Sequence, residues 1–371
     1  MLVNATEMLL KARDGHYGVP QFNINNLEWT KAVLTACEQT KSPVILGVSE
    51  GAGKYMTGFK TVAAMVKAMV DSMGITVPVA LHLDHGKSLE SVKACIAGGY
   101  TSVMIDGSSL PYEDNVELTR EVVKYAHPYG VSVEGELGVL AGVEDHVFSA
   151  TSTYTNPMQA VDFFKKTGCD ALAISYGTCH GPNKGKDTRI RREIAIATKE
   201  CMLHEGIQGY LVSHGSSTVP QEYVAAINAL GGNLVDAFGI EVAQLTDVAK
   251  CGINKINVDT DLRMACTRNI LQLFHDEPAL KESPALAQFY RDLTANPKNV
   301  DPRNYCNSIM DTIVKGEIPN EEVGRIVRCM QDGVVAAIAP LLVQFGSFRK
   351  SQYVELVTCE QMADRYKKEG I

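Results

Sequence analysis

The stretch VPVALHLDHG (77–86) starts as a buried strand and ends as something else. Branched apolar residues dominate it through Leu83, and then come Asp84 and His85, two ionisable side chains just before Gly86. A run that is apolar on both faces and polar at its C-terminal end fits a parallel sheet whose strand ends carry chemistry. Seven further runs have a related form: VPQFNI (19–24), PVILGVS (43–49), SVMID (102–106), VSVEGEL (131–137), ALAIS (171–175), YLVSH (210–214) and INKINVD (253–259). Helical patterns such as LEWTKAVLTACEQTK (27–41) and MQAVDFFKKTG (158–168) lie between them. Eight strands alternating with helices predict an α/β fold, a (β/α)8 TIM barrel. The reading treats residues 1–371 as one barrel domain, with 276–340 as additional helical decoration towards the C-terminus. The competing fold is an open doubly wound sheet. That fold usually carries a glycine-rich first turn, whereas the first strand here runs into NINNLE (23–28), without GxGxxG.

Bulk composition narrows the function classes. The 371 residues are 45% hydrophobic, ample for a large core. A net charge of −8 argues against a nucleic-acid surface, so positive charge for an anionic ligand has to be local. No uninterrupted apolar run reaches the roughly 18–20 residues of a membrane span, and no membrane partner is expected. The first residues, MLVNATEMLLKARDG (1–15), read as an amphipathic helix rather than a signal peptide, and a cytoplasmic location is expected. The ten cysteines form no CxxC pair and are expected to be reduced thiols.

In a barrel enzyme the chemistry sits at the C-terminal strand ends. Those ends carry Asn23, Ser49, Asp84–His85, Asp106, Glu134 and Glu136, Cys179–His180–Gly181, His214–Gly215, and Asn257 with Asp259. His85, His180 and His214 therefore occupy equivalent places on three different strands, and the other six histidines do not. Three imidazoles converging at a barrel mouth make an open catalytic zinc site with a position left for substrate or water. Asp84 beside it suits proton transfer, or alternatively holds an imidazole in one tautomer. Pleat parity points Asp84 and His85 to opposite faces, so both reach one pocket only where the strand end departs from regular pleating.

Three loops have the character of ligand loops. HGSSTVPQE (214–222) puts glycine and a helix start after strand seven, NVDTDLR (257–263) adds Thr260 and Arg263, and HGPNKGKD (180–187) adds Lys184. The loop GVLAGVEDHVFSATSTYTN (138–156) is long for a barrel connection and reads as a lid carrying Glu144 and Asp145. GVSEGAGKYM (47–56) is no phosphate-binding P-loop, because Val48 and Tyr55 stand where GxxxxGK[ST] needs Gly and Ser or Thr.

Together, GVPQFNINN, SPVILGVSEGA, LHLDHG, SVMIDGS, VSVEGELG, GTCHG, HGSSTVPQE and KINVDTDLRMA resemble class II, zinc-dependent fructose-1,6-bisphosphate aldolases over roughly residues 1–275. The resemblance implies a lyase of glycolysis and gluconeogenesis. It would cleave fructose 1,6-bisphosphate reversibly to dihydroxyacetone phosphate and glyceraldehyde 3-phosphate, through a zinc-stabilised enediolate. By that resemblance His85, His180 and His214 match the Zn2+ ligands, and Glu136 and Asp106 match an alternative metal position. Asp84 matches the acid/base at the 4-hydroxyl, and Glu144 matches the lid carboxylate. Gly181, Lys184, Gly215, Ser217, Asp259 and Thr260 match the set that binds one phosphate, where a monovalent cation (Na+ or K+) supports the loop in relatives. Asn23, Ser49, Asn257 and Arg263 match residues that hold the rest of the sugar phosphate. The arginine is expected from a neighbouring subunit, which implies a homodimer or homotetramer.

Departures from the family pattern are Asn183 in place of a tyrosine, Ala141 in place of a glycine, and the length of 276–340. Alternatives are a tagatose-1,6-bisphosphate or related ketose-phosphate aldolase, a Schiff-base aldolase using Lys255, and a non-catalytic sugar-phosphate binder. A metal-dependent amidohydrolase would want His-x-His on strand one, and QFNIN (21–25) has none.

Overall fold

Eight parallel strands close on themselves in the computed structural model, which describes residues 2–139, 142–144, 147–149, 153–181, 184, 188–309 and 321–370. They are β1 (Val19–Asn23), β2 (Val44–Ser49), β3 (Val79–Gly86), β4 (Ser102–Ile105), β5 (Ser132–Leu137), β8 (Ala171–Ile174), β9 (Tyr210–Ser213) and β10 (Ile253–Val258). Between β5 and β8 an antiparallel hairpin pairs β6 (Gly142–Glu144) with β7 (Val147–Ser149). The barrel order is β1-β10-β9-β8-β5-β4-β3-β2, with β1 hydrogen-bonded to both β10 and β2. The predicted (β/α)8 barrel is the fold observed, and each anticipated strand falls within two residues of its expected bounds.

Two apolar layers hold it together. Phe22, Leu46, Leu81, Leu83, Val133, Ile174, Ile256 and Val258 point outward into the main core beneath the surrounding helices. Residues of opposite parity point inward, and their character changes along the barrel axis. At the N-terminal end Val19, Ile45, Ala80, Ala171, Tyr210 and Val212 pack with Val3, Met8 and Leu9, so the helix Thr6–Gly15 plugs the bottom. Further along the barrel axis, the inward positions become Gln21, Asn23, His82, Asp84, Glu134, Glu136, Lys255 and Asn257, all buried. The polar strand ends are thus the upper layers of a filled interior.

The C-terminal segment wraps the outside. The helix Glu321–Gln344 has the length and apolarity to cross a membrane, although Arg325, Arg328 and Asp332 break its apolar sequence into short runs. Here Ile326, Val334, Ile338 and Leu342 are buried against the helices Leu27–Thr40 and Thr260–Asp276. The approach is close: a Cβ on Gly333 would lie 2.7 Å from the Ala265 carbonyl oxygen. The last helix, Cys359–Glu369, opens with a Thr358–Gln361 capping box and docks under the barrel. There Tyr366 stacks on His127 with ring centroids 3.9 Å apart and donates to Asp170 Oδ1 at 2.8 Å.

Candidate metal centre and active site

His85 sits where β3 loses its regular pleat. Its φ is +49°, in the left-handed region that a side chain with Cβ rarely adopts, and the β3–β4 register shifts between Leu83 and Gly86. That break resolves the parity conflict: Asp84 and His85 both reach the same cavity. Gly86 then has to be glycine, because a Cβ there would lie 2.4 Å from the Met104 carbonyl oxygen.

Three imidazoles converge. The His85 ring centroid is 5.1 Å from that of His180 and 4.6 Å from that of His214, and the His180 and His214 centroids are 6.4 Å apart. All three residues are buried. His85 Nδ1 donates to Asp106 Oδ2 at 3.0 Å, which leaves Nε2 facing inward. Asp106 is fixed in turn by Ser108, whose N–H and hydroxyl donate to Oδ1 at 3.1 and 2.7 Å. His214 Nε2 donates to Glu134 Oε1 at 2.7 Å, which leaves Nδ1 facing inward. A carboxylate can only accept, so these partners set both tautomers. The two remaining nitrogens, His85 Nε2 and His214 Nδ1, lie 2.8 Å apart.

The charges are strongly coupled. Burial opposes a charged His85, but the Asp106 hydrogen bond and the neighbouring Asp84 and Glu136 carboxylates raise its pKa well above the usual imidazole range. Burial also pushes the Asp106 carboxyl up, and its bond to His85 outweighs that and holds it well below the carboxylate range. Burial, together with Asp106, raises Glu136 well above its ordinary value. Its Oε2 is buried, lies 3.7 Å from His85 Nδ1, and makes no hydrogen bond among the described residues. Two groups of side chains bring one donor atom each within 4.8 Å of one another: Asp84, His85 and His214, and then His85, Asp106 and Glu136. Nitrogen and carboxylate donors converging in a buried cavity, with one carboxylate oxygen left over, fit a divalent cation such as zinc. His180 faces the other two rings but joins neither tight donor group.

Asp84 is held as a base would be. Its Oδ2 accepts from Asn23 Nδ2 at 3.0 Å and its Oδ1 from Asn257 Nδ2 at 3.3 Å, while Gln21 fixes Asn23 at 3.0 Å. Ser49, registered beside Asp84 on the neighbouring strand, accepts from the Ala52 N–H at 3.1 Å and so caps the helix Glu50–Tyr55.

The anticipated phosphate residues gather at the mouth after β8, β9 and β10. Ser217 Oγ accepts from the backbone N–H groups of Asp259 and Thr260 at 3.2 and 3.1 Å, which ties the β9 loop to the start of the helix Thr260–Asp276. Gly215 has φ +61° and packs on the neighbouring loop so tightly that a Cβ would lie 2.5 Å from the Cys179 carbonyl oxygen. Lys184 Nζ donates to the Gly181 carbonyl at 2.8 Å and to that of Cys179. Beside them a cleft of about 790 Å3 is lined by Tyr154, Thr178, Cys179, Lys184 and Arg189. Arg263 is engaged within its own chain, with Asp259 through Nε at 2.8 Å and with Asp301 through Nη1 at 2.7 Å.

Some expectations meet no side chain. Glu144 ends strand β6, but its side chain lies outside the described residues, as do Ala141, Asp145 and Asn183. The sequence gives three further residues no part in the metal site, although it offers Lys255 as a Schiff-base lysine. Glu134, His82 and Lys255 form a buried network one layer below the histidines. Lys255 Nζ donates to Glu134 Oε2 at 2.5 Å and to His82 Nε2 at 3.2 Å. The only signal in the sequence was parity, Glu134 with Glu136 and Lys255 with Asn257.

Known proteins resemble this chain over most of its length. Residues 3–318 match the family described as "Fructose-bisphosphate aldolase class-II". A fructose-bisphosphate aldolase of Treponema pallidum is 43% identical over 327 residues, covering 85% of this chain and 93% of that protein. One from Geobacillus stearothermophilus is 46% identical over 278 residues, covering 75% and 87%. The crystal structure of the YdjI aldolase from Escherichia coli K12 superposes with a TM-score of 0.67 at 26% identity, covering 95% of this chain and all of that one. The chain belongs to the class II fructose-bisphosphate aldolases, a family of metal-dependent lyases.

Proposed function

We propose that this enzyme cleaves fructose 1,6-bisphosphate reversibly into dihydroxyacetone phosphate and glyceraldehyde 3-phosphate. The observation that carries the reading is the placement of Asp84 in one tight donor group with His85 and His214. A carboxylate oriented by the amides of Asn23 and Asn257 suits the removal of a proton from a hydroxyl of a metal-polarised ketose. Zinc, held by His85, His180 and His214, would supply Lewis-acid stabilisation of negative charge on the substrate oxygens. Asp84 takes the proton from the 4-hydroxyl as the C3–C4 bond breaks, and Glu144 returns a proton to the carbon of the dihydroxyacetone phosphate half. Asp106 and Glu136 with His85 form the second donor group, which suits a resting position of the metal.

Gly181, Lys184, Gly215, Ser217, Asp259 and Thr260 would hold one phosphate at the helix start, with a sodium or potassium ion supporting the loop. Asn23, Ser49 and Asn257 position the sugar, and Arg263 meets the second phosphate of a partner subunit's substrate in a homodimer or homotetramer. The whole chain acts as one barrel domain, decorated by 276–340, in the cytoplasm. Measurement of kcat/KM for fructose and tagatose 1,6-bisphosphates tests the substrate. A clear preference for fructose is expected, and a preference for tagatose would reassign it.

A further inference from the structure

Lys255 is among the largest fully buried side chains of the molecule, and the aldol chemistry assigned above has no use for its amine. A buried ammonium is expensive unless it is paired and hydrogen-bonded, so its partners say what keeps it there. They are Glu134 on β5 at 2.5 Å and His82 on β3 at 3.2 Å, reached across the barrel from β10. None of these strands neighbours another in the sheet, so the links run through the interior.

The donors in this network follow one from another. Lys255 has only donors, so His82 Nε2 accepts and His82 Nδ1 carries the proton. That Nδ1 donates to Ser102 Oγ at 2.8 Å, and Ser102 also receives the Ser132 hydroxyl at 2.9 Å. Burial, then Lys255, pushes the His82 pKa down to about 3, which agrees with a neutral ring. Glu134 is left with two oxygens and two donors: Oε2 takes Lys255 and Oε1 takes His214 Nε2 at 2.7 Å. With each oxygen taken by its own donor, turning the carboxylate plane would break both bonds.

We propose that Lys255 is a positioning residue for the metal site: by clamping Glu134 it holds the His214 ring in one tautomer, with Nδ1 aimed at the cation. Lys255 touches neither metal nor substrate and acts only through Glu134. The inference rests on His214 being a metal ligand. Without Lys255, Glu134 keeps a buried charge with no counter-charge on Oε2 and is free to reorient, and the imidazole loses its fixed aim. Groups that orient ligating histidines typically change metal affinity ten- to a hundredfold when altered.

The test uses the full-length enzyme, zinc alone as probe, and 15N-histidine NMR. Lys255→Met should weaken zinc binding about ten- to a hundredfold in competition titration. It should also convert His214 from a single Nε2–H tautomer into a mixture. Lys255→Met combined with Glu134→Gln removes both charges and leaves a carbonyl that accepts from His214, so it should bind zinc more tightly than Lys255→Met alone. A folded Lys255→Met enzyme with unchanged zinc affinity and an unchanged His214 signal would overturn the proposal. If that variant does not fold, the metal-free wild type still decides, since a mixed His214 tautomer there excludes the clamp. His214→Ala separates the two claims: unaltered zinc affinity in that variant removes His214 as a ligand, whereas lost zinc there beside intact binding in Lys255→Met removes only the clamp.

Discussion

His85 Nε2 and His214 Nδ1 face each other at 2.8 Å, and each ring spends its other nitrogen on a carboxylate. Two neutral imidazoles in those tautomers would point lone pairs at one another. The arrangement needs a positive charge between them, supplied either by a proton on His85 or by a metal ion. The raised pKa of His85 is the metal-free form of that requirement. Metal binding therefore displaces a proton, and zinc uptake should release protons in weakly buffered solution near neutral pH. Calorimetry in buffers of different ionisation enthalpy measures this; identical apparent enthalpies would contradict it.

Asp84→Ala should lower kcat by about a hundred- to ten-thousandfold, the usual range for a general acid/base, with zinc content unchanged. The neighbouring amides of Asn23 and Asn257 remain to fill the space with ordered water. Kinetics and metal analysis of the same preparation check this, and loss of zinc would make Asp84 a ligand.

Much of this site was legible before the fold was known, because barrel chemistry collects at strand ends and the strands announce themselves by composition. Asp84, His85, Asp106, Glu136, His214 and Asn257 all stand at such ends. What stayed hidden depends on closure or on backbone detail. The left-handed φ of His85 leaves no trace in residue types, so parity alone set it against Asp84. The Lys255–Glu134–His82 network joins strands 50 or more residues apart, and only the closed circle makes them neighbours. The tail after residue 344 gave no periodic signal that would place Tyr366 beneath the barrel.

Lys255 should not form a Schiff base. Its ammonium is buried and paired with Glu134, whereas a nucleophilic amine must be uncharged. Borohydride reduction with substrate, followed by mass spectrometry, should show no adduct on Lys255. A stable adduct there would restore the Schiff-base reading.

Tyr366→Phe should destabilise the fold by about 1.5–3 kcal/mol, the range for a hydrogen bond to a charged group, with kcat unchanged. The bond to Asp170 lies at the end of the barrel opposite the histidines. Chemical denaturation and steady-state kinetics read the two effects separately.

Glu38 supplies a pH-dependent contribution. Burial works against its ionisation, but Lys41, Thr76 and the backbone N–H groups of Thr76 and Val77 bring its pKa down to about 2. The folded-state pKa is depressed, so the stabilisation is complete above the unfolded value of about 4.3 and is lost as pH falls towards about 2. Glu38→Gln should destabilise the protein at pH 7 and converge on the wild type as pH falls through that window. An equal difference at pH 7 and pH 3 would contradict the assignment.

The proposed dependence of aldolase activity on a metal held by His85, His180 and His214 is tested by fructose 1,6-bisphosphate cleavage by the wild-type enzyme before EDTA, after EDTA, and after re-addition of zinc. Activity should disappear with the chelator and return with zinc, and undiminished turnover in excess EDTA would contradict the account.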